Sequence, residues 1–393
     1  MLTGRHQRFL CEKILDIEIR AYPDLLITPK RFIELTGMIK ELFPTESEQT
    51  YYIPYTPATA NSKKVGAKGK FVEIYQQYRG IAIECGVTYK KKGAKSKSVN
   101  NTGVVRLGRL DDVSEEPDDD CKEKLELLHT SIDPPEVVKH YWTVTSRVRI
   151  KELVTNQRLE TFDYYSQYPA LAHKNLGVDL INIDFEAIYP DKASLLSEKY
   201  TLFEKQILSY YSRIKKKTNE VKELLNTLNS NSSKDSRVTI IFLLLTTLCP
   251  VPVVRLSKEN SLRPERKDIV RNFILHVKNE TNDLKEKIDI RANYLNKYGL
   301  SAQPIIIVVG HSLENIVKSF VFINGIQYEV PSTLRAIDTV FKSFFSLQLD
   351  YPKVACNIWR IIQEKFYEIR VSSDTPLSPA ISNILNLLNN SLA

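Results

Sequence analysis

Residues 304–330 read PIIIVVGHSLENIVKSFVFINGIQYEV, and how this stretch folds decides the class of the protein. Ile305–Val309 is an unbroken β-branched run, as expected of a strand covered on both faces. Beyond it, SFVFINGIQYEV holds Asn324-Gly325 between two apolar arms, the strongest short-range hairpin signal. Strand and hairpin together predict a small sheet, and the flanks predict what covers it. Upstream lie a buried apolar segment at 238–249, a strand near Phe273–Val277 and a helix over 282–297 ended by Gly299. Downstream, Ser332 can cap LRAIDTVFKSFFSLQL, and after Tyr351-Pro352 the run VACNIWRIIQEKFYEI sets Val354, Ile358, Ile361, Ile362 and Phe366 at helical spacing. Leu334, Ile337, Val340, Phe341, Phe344, Ile358, Trp359, Ile362 and Phe366 are expected to form one buried cluster against the 304–309 strand. This part of the chain reads as α+β.

The same stretch contains Gly310-His311-Ser312-Leu313-Glu314, which invites a test for a hydrolase nucleophile elbow. The elbow requires Gly-x-Ser-x-Gly on a strained strand-to-helix turn, and position 314 is Glu. The histidines are His6, His129, His140, His173, His276 and His311, so none follows Ser312 as the hydrolase chain order demands. Gly310 is read as the end of a core strand and Ser312 as a helix cap; no catalytic residue is assigned. Asp184-Phe185-Glu186-Ala187-Ile188-Tyr189-Pro190 is similar to the first metal-binding motif of family-B DNA polymerases, but no second acidic hairpin accompanies it. A strand over 178–191 ending at a Tyr-Pro turn explains the same letters. Gly66-Ala67-Lys68-Gly69-Lys70-Phe71 lacks the first glycine and the final Ser/Thr of a phosphate-binding loop. Cysteines and histidines never cluster at ligand spacing, so neither a metal nor a cofactor is assigned.

The chain has 393 residues, 42% of them hydrophobic and 26% charged, ordinary values for a folded protein of two or three domains. Five scattered cysteines without a C-x-x-C pair argue against a disulfide framework and for a reducing compartment. No secretory signal is read at the N-terminus. Ile240–Cys249, the most apolar stretch, is far short of the ~20 residues that span a bilayer, so no membrane role is expected. The net charge of +8 is unevenly placed. Residues 61–110 contain twelve Lys and Arg against two acids, a net +10, and 111–120 contain seven acids and no base. The basic block suits a polyanion such as nucleic acid.

Organisation follows the charge. Residues 4–22, 29–42 and 69–84 each carry an amphipathic helical stripe, making an N-terminal helical bundle over 1–89. The segment between the second and third helices mixes Tyr51, Tyr52 and Tyr55 with lysines, which can stack on bases or cover the helical core. Residues 90–130 read as a flexible charged linker, Lys-rich and then acidic. Residues 131–393 form the C-terminal mixed α/β domain, with a small sheet, flanking helices and a long helix over 194–228.

LTGRHQRFLCEKILDIE, QTYYIPY, GKFVEIYQQYR, GLSAQPIIIVVG and AIDTVFKSFFSLQLDYPKVACNIWRIIQEKFYEI together resemble a multi-copy group of animal proteins, best represented in insects, with no assigned activity. The resemblance implies a relation to mobile elements or to regulators built from them, and no residue role. The leading expectation is a non-enzymatic, intracellular, nuclear protein that binds nucleic acid of either type, with a C-terminal domain for protein association or self-association. The nucleic-acid site is expected at Lys63, Lys64, Lys68, Lys70, Arg79, Lys90, Lys91, Lys92, Lys95, Lys97, Arg106 and Arg109, and Lys90–Lys92 with Lys95 and Lys97 is dense enough for an import signal. Asp111, Asp112, Glu115, Glu116, Asp118, Asp119 and Asp120 are expected to fold back and compete for those lysines. The alternative is a pure interaction or assembly protein, and a third, from another class, is a divergent hydrolase or nucleotidyl enzyme.

Overall fold

The computed structural model describes residues 2–21, 27–55, 66–76, 118–155, 161–228, 232–257, 259–371 and 376–392. The chain divides into two compact units, Met1–Lys97 and Ser98–Ala393.

The first unit contains α1 (Gly4–Ala21), α2 (Pro29–Leu42), α3 (Glu48–Tyr51) and helical residues 70–76, α4. Thr28 caps α2 by accepting from the Arg31 amide, with Pro29 in the first turn where its missing N–H costs nothing. Leu15, Phe32, Leu35, Ile39, Tyr51, Phe71 and Ile74 form the core. Phe32 stacks on Tyr52 at 5.2 Å between ring centroids and meets Tyr75 edge-on at 5.3 Å. The buried Glu46 carboxylate accepts from the Leu2 amide, from Gln7 at 2.7 Å and from the Tyr51 hydroxyl at 2.9 Å, tying the start of α1 to the α2–α3 connection. The three predicted helices are present as far as they are described; 77–84 lies outside the described residues.

The second unit runs α5 (Asp119–Leu128), α6 (Pro135–Thr155), α7 (Thr161–Gln167), α8 (Gly177–Ile188), α9 (Leu195–Arg213), α10 (Asn219–Thr227), α11 (Lys234–Leu248), the short pair β1 (Val254–Arg255) and β2 (Ser261–Leu262), and α12 (Arg266–Arg271). It continues β3 (Ile274–Val277), α13 (Asn282–Lys297), β4 (Ile305–Val309), β5 (Lys318–Ile323), β6 (Ile326–Val330), α14 (Thr333–Ser346), α15 (Cys356–Ile362) and α16 (Pro379–Asn389). The main sheet has the order β3-β4-β5-β6, with β3 and β4 parallel and the other pairs antiparallel. The predicted α+β class, with its small sheet, is the one observed.

Ile306, Val308, Val321, Ile323, Tyr328 and Val330 face the main core, while Leu275, Val277, Ile305, Ile307, Val309 and Phe320 pack with Leu284 of α13 on the other face. Burial on both faces is why β4 is a continuous apolar run. Asn324 and Gly325 both take left-handed φ, 51° and 82°, as the two-residue hairpin requires. Ser332 caps α14 by accepting from the Arg335 amide. The expected C-terminal cluster forms: Ile337, Val340, Phe341, Phe344, Ile358, Trp359, Ile362 and Phe366 are all fully buried with Ile306 and Val308, and Leu334 is half-buried at its edge. The Trp359 ring meets Phe273 at 5.1 Å and Phe344 at 5.0 Å.

Four expectations are corrected. Residues 178–191 are not a strand: Leu180, Ile181, Asp184, Phe185 and Ile188 are buried together on α8, a helical stripe that reads as alternation in a short window. The helix over 194–228 breaks into α9 and α10 because Thr218, poor inside a helix, caps a new one through the Val221 amide. Residues 119–128, read as the acidic end of the linker, form α5, with Asp118 as its cap. Ser312 caps nothing, since no helix follows Leu313.

Candidate functional site

The chain at Gly310 turns from β4 back into the antiparallel β5, so the strand-to-helix geometry of a nucleophile elbow is absent there. Val317 donates to the Val309 carbonyl at 2.8 Å and Asn315 to the Ser312 carbonyl at 3.2 Å, closing the turn. A Cβ at Gly310 would lie 2.1 Å from the Asn315 carbonyl oxygen, so the glycine serves this close approach. His276 of the parallel neighbour β3 has Nε2 at 2.8 Å from the Gly310 carbonyl. That nitrogen must carry the proton it donates, and burial pushes the His276 pKa down. Its Nε2 is thus committed to structure.

Asp184 of the polymerase-like motif is no metal ligand in waiting. Both its oxygens accept from Arg149, at 2.8 and 3.0 Å, and both residues are completely buried. Among the described residues no group of His, Cys, Asp and Glu is placed to hold a metal ion. The Cys11 thiol is pushed up to about 12 by burial, which makes it a poor nucleophile.

Of the expected nucleic-acid residues only Lys68 and Lys70 are described; Lys63, Lys64, Arg79, Lys90, Lys91, Lys92, Lys95, Lys97, Arg106 and Arg109 lie outside the described residues. Lys68 pairs its backbone with Ile53 and leaves its side chain exposed, while Lys70 is half-buried at the start of α4. Between them Gly69, at φ 116°, presses its backbone against the Tyr51 carbonyl where a Cβ would come within 2.5 Å. Tyr51 and Tyr52 belong to the core, so of the three tyrosines offered for base stacking only Tyr55 is exposed. Asp118, Asp119 and Asp120 are engaged as the cap of α5 and in pairs with Lys122 and Lys124, while Asp111, Asp112, Glu115 and Glu116 lie outside the described residues.

A second arrangement of charged side chains, in the C-terminal unit, lines a cavity. A cavity of about 520 Å³ opens between α8, the start of α9 and the first half of α14. Its inner wall holds Lys342 and Asp338, 2% and 7% exposed, with Arg335 beside them. Asp338 is saturated: one oxygen accepts from Arg335 at 2.8 Å and Lys342 at 2.7 Å, the other from the Tyr367 hydroxyl at 2.6 Å. Lys342 also donates to the Ala193 carbonyl at 2.8 Å. Burial pulls the Lys342 pKa down, Asp338 opposing, and burial drives Tyr367 far up. The outer wall carries Glu186, Ser194 and Ser197, all exposed. Arg335, Asp338 and Lys342 were not singled out in the sequence. Their signal was present: charges three and four residues apart form one stripe on an otherwise apolar helix.

No family model, curated protein or solved structure matches the chain. Its function is argued from its own residues.

Proposed function

We propose that the protein binds nucleic acid through its basic segment, acts in the nucleus, and uses its C-terminal unit for protein association. The observation that carries this is the net +10 over residues 61–110 set directly against seven acids in 111–120. A cationic block of this density releases counterions from a phosphate backbone on binding, which drives sequence-independent association. Lys68 and Lys70 support it by anchoring the N-terminal end of the segment to a folded helical unit.

The test is a titration of the full chain with duplex and single-stranded nucleic acid at two salt concentrations. With roughly five phosphate contacts, log Kd changes with log salt at a slope of magnitude about 4. Replacing Lys63, Lys64, Lys90, Lys91 and Lys92 with Gln abolishes most of that slope, and replacing Asp111, Asp112, Glu115 and Glu116 with Asn or Gln tightens binding. No complex at ~50 mM salt, where such contacts are strongest, sinks the proposal.

A second reading, a pure interaction protein, is favoured by one observation in the N-terminal unit. Phe9, Ile17, Ile33 and Leu42 on α1 and α2 are 59%, 67%, 54% and 75% exposed. Large apolar side chains left in water in such numbers fit a protein-binding surface. That reading takes the lead if the titration fails.

A further inference from the structure

We propose that the cavity between α8, α9 and α14 binds a small phosphate monoester carrying a hydroxyl group. The inference stands apart from the basic segment and rests on the donors that the inner wall leaves unused.

Two cations meet one carboxylate there, and that carboxylate already accepts from three donors. Arg335 has five N–H groups, of which one is used on Asp338; among the described residues the other four have no protein partner. Lys342 has three, two of them used on Asp338 and the Ala193 carbonyl, and its Nζ also lies over the Phe185 ring at 5.5 Å from the centroid. The inner wall thus carries one positive charge more than Asp338 balances, and its unspent donors are chiefly those of Arg335, whose side chain is 35% exposed and open to a ligand. Among the described residues the other ionised group on the lining is Glu186, exposed on the outer wall, whose charge also acts on Lys342 and offsets part of that excess. The Ser194 end of α9 lines the same cavity without a side-chain cap and adds a weaker pull of the same sign.

Asn182 says that the ligand is more than a bare anion. It lines the cavity, its Nδ2 donates to the Val178 carbonyl at 2.7 Å, and its Oδ1 is buried with no partner. A buried amide oxygen without a donor is costly, and a small turn of the Asn182 side chain toward the cavity would let a ligand hydroxyl supply one. Room for both ends exists, since the volume lies within the ~300–1,000 Å³ typical of small-molecule sites. Arginine supplies the forked geometry that suits a phosphate, and lysine the point charge behind it.

The experiment is calorimetric titration of the full chain with inorganic phosphate and with glycerol phosphate. Saturable binding of glycerol phosphate, tighter than inorganic phosphate, is the expected result. Arg335→Gln weakens both by about tenfold or more while the fold is retained, because Asp338 keeps Lys342 and Tyr367. Asn182→Ala leaves inorganic phosphate binding unchanged and weakens glycerol phosphate, and since it removes only one bond, to the Val178 carbonyl within its own helix, this variant remains folded even if Arg335→Gln does not. Replacing Lys90, Lys91 and Lys92 with Gln changes neither affinity, which separates the cavity from the basic segment. No saturable heat up to ~10 mM ligand, the weakest range of a specific site, overturns the proposal, as do equal affinities of wild type, Arg335→Gln and Asn182→Ala for glycerol phosphate.

Discussion

Replacing Arg149 with Met tests whether a completely buried charge is structural. Its guanidinium is completely enclosed and spends all five N–H groups: on Thr145 Oγ1 and the Tyr164 hydroxyl at 3.0 Å each, on the Trp142 carbonyl at 2.5 Å, and on the two Asp184 oxygens at 2.8 and 3.0 Å. Its central carbon lies 3.4 Å from the Trp142 ring centroid. Methionine fills much of the volume but leaves Asp184 as an unpaired buried carboxylate, a change that costs about 3–5 kcal/mol. The stranded Tyr164 hydroxyl and Trp142 carbonyl place the outcome at the upper end. Asp184→Asn leaves the guanidinium uncompensated and costs a similar amount. Arg149→Met combined with Asp184→Leu removes both charges together and should lie within about 2 kcal/mol of wild type, because the desolvation penalty of the pair disappears with it. The assay is urea denaturation followed by circular dichroism, with the double-mutant cycle giving a coupling of several kcal/mol. A single variant costing under ~1 kcal/mol, or a double variant equal to the sum of the singles, refutes the reasoning.

Three further outcomes follow from the geometry. Trp359→Ala opens a cavity between Phe273, Phe344 and Tyr351 and lowers stability by about 3–5 kcal/mol; an unchanged melting temperature would contradict the packing. Gly310→Ala forces a Cβ onto the Asn315 carbonyl and destabilises clearly, whereas Ser312→Ala stays within about 0.5 kcal/mol and a fluorophosphonate probe leaves Ser312 unlabelled. Burial lowers the His276 pKa, so the folded state prefers the neutral ring. The stabilisation is complete above the ordinary value of 6.5 and is lost as pH falls through it toward the lower folded value. Melting temperatures taken from pH 7 to pH 5 should therefore drop less steeply in His276→Gln than in wild type.

Much of the fold was legible because local and tertiary signals agreed. Thr28-Pro29, Asn324-Gly325 and Ser332 each encode a backbone geometry that no neighbour needs to impose, and each appears where expected. The C-terminal cluster was legible for the same reason, since its helical stripes are apolar and point one way. Residues 178–188 misled because α8 carries an ion-paired aspartate on its buried face, and a polar letter inside an apolar stripe mimics alternation. Only the partner, Arg149, 35 residues away, makes Asp184 affordable in the core, and pairing over that distance leaves no local mark. The α9–α10 break at Thr218 was readable in principle, but the apolar stripe continues on both sides of it and drowned the cap.

The cavity shows the same limit from the other direction. Arg335, Asp338 and Lys342 look in sequence like the solvated side of an amphipathic helix, because charge at helical spacing beside an apolar stripe nearly always is. What changes their meaning is coverage: α8, Ala193 at the entry to α9 and Tyr367 close over Asp338 and Lys342, so that Lys342 is as buried as the core it interrupts. Three elements far apart in the chain supply that cover, and none carries a motif. Burial sets the chemistry of the Asp338–Lys342 pair, since the same pair in water would be worth at most about 1 kcal/mol, while the 35% exposed Arg335 is held at its edge through Asp338. The second cation, Arg335, is 35% exposed and has four N–H groups without a protein partner among the described residues, which leaves it the part of α14 that a ligand can reach.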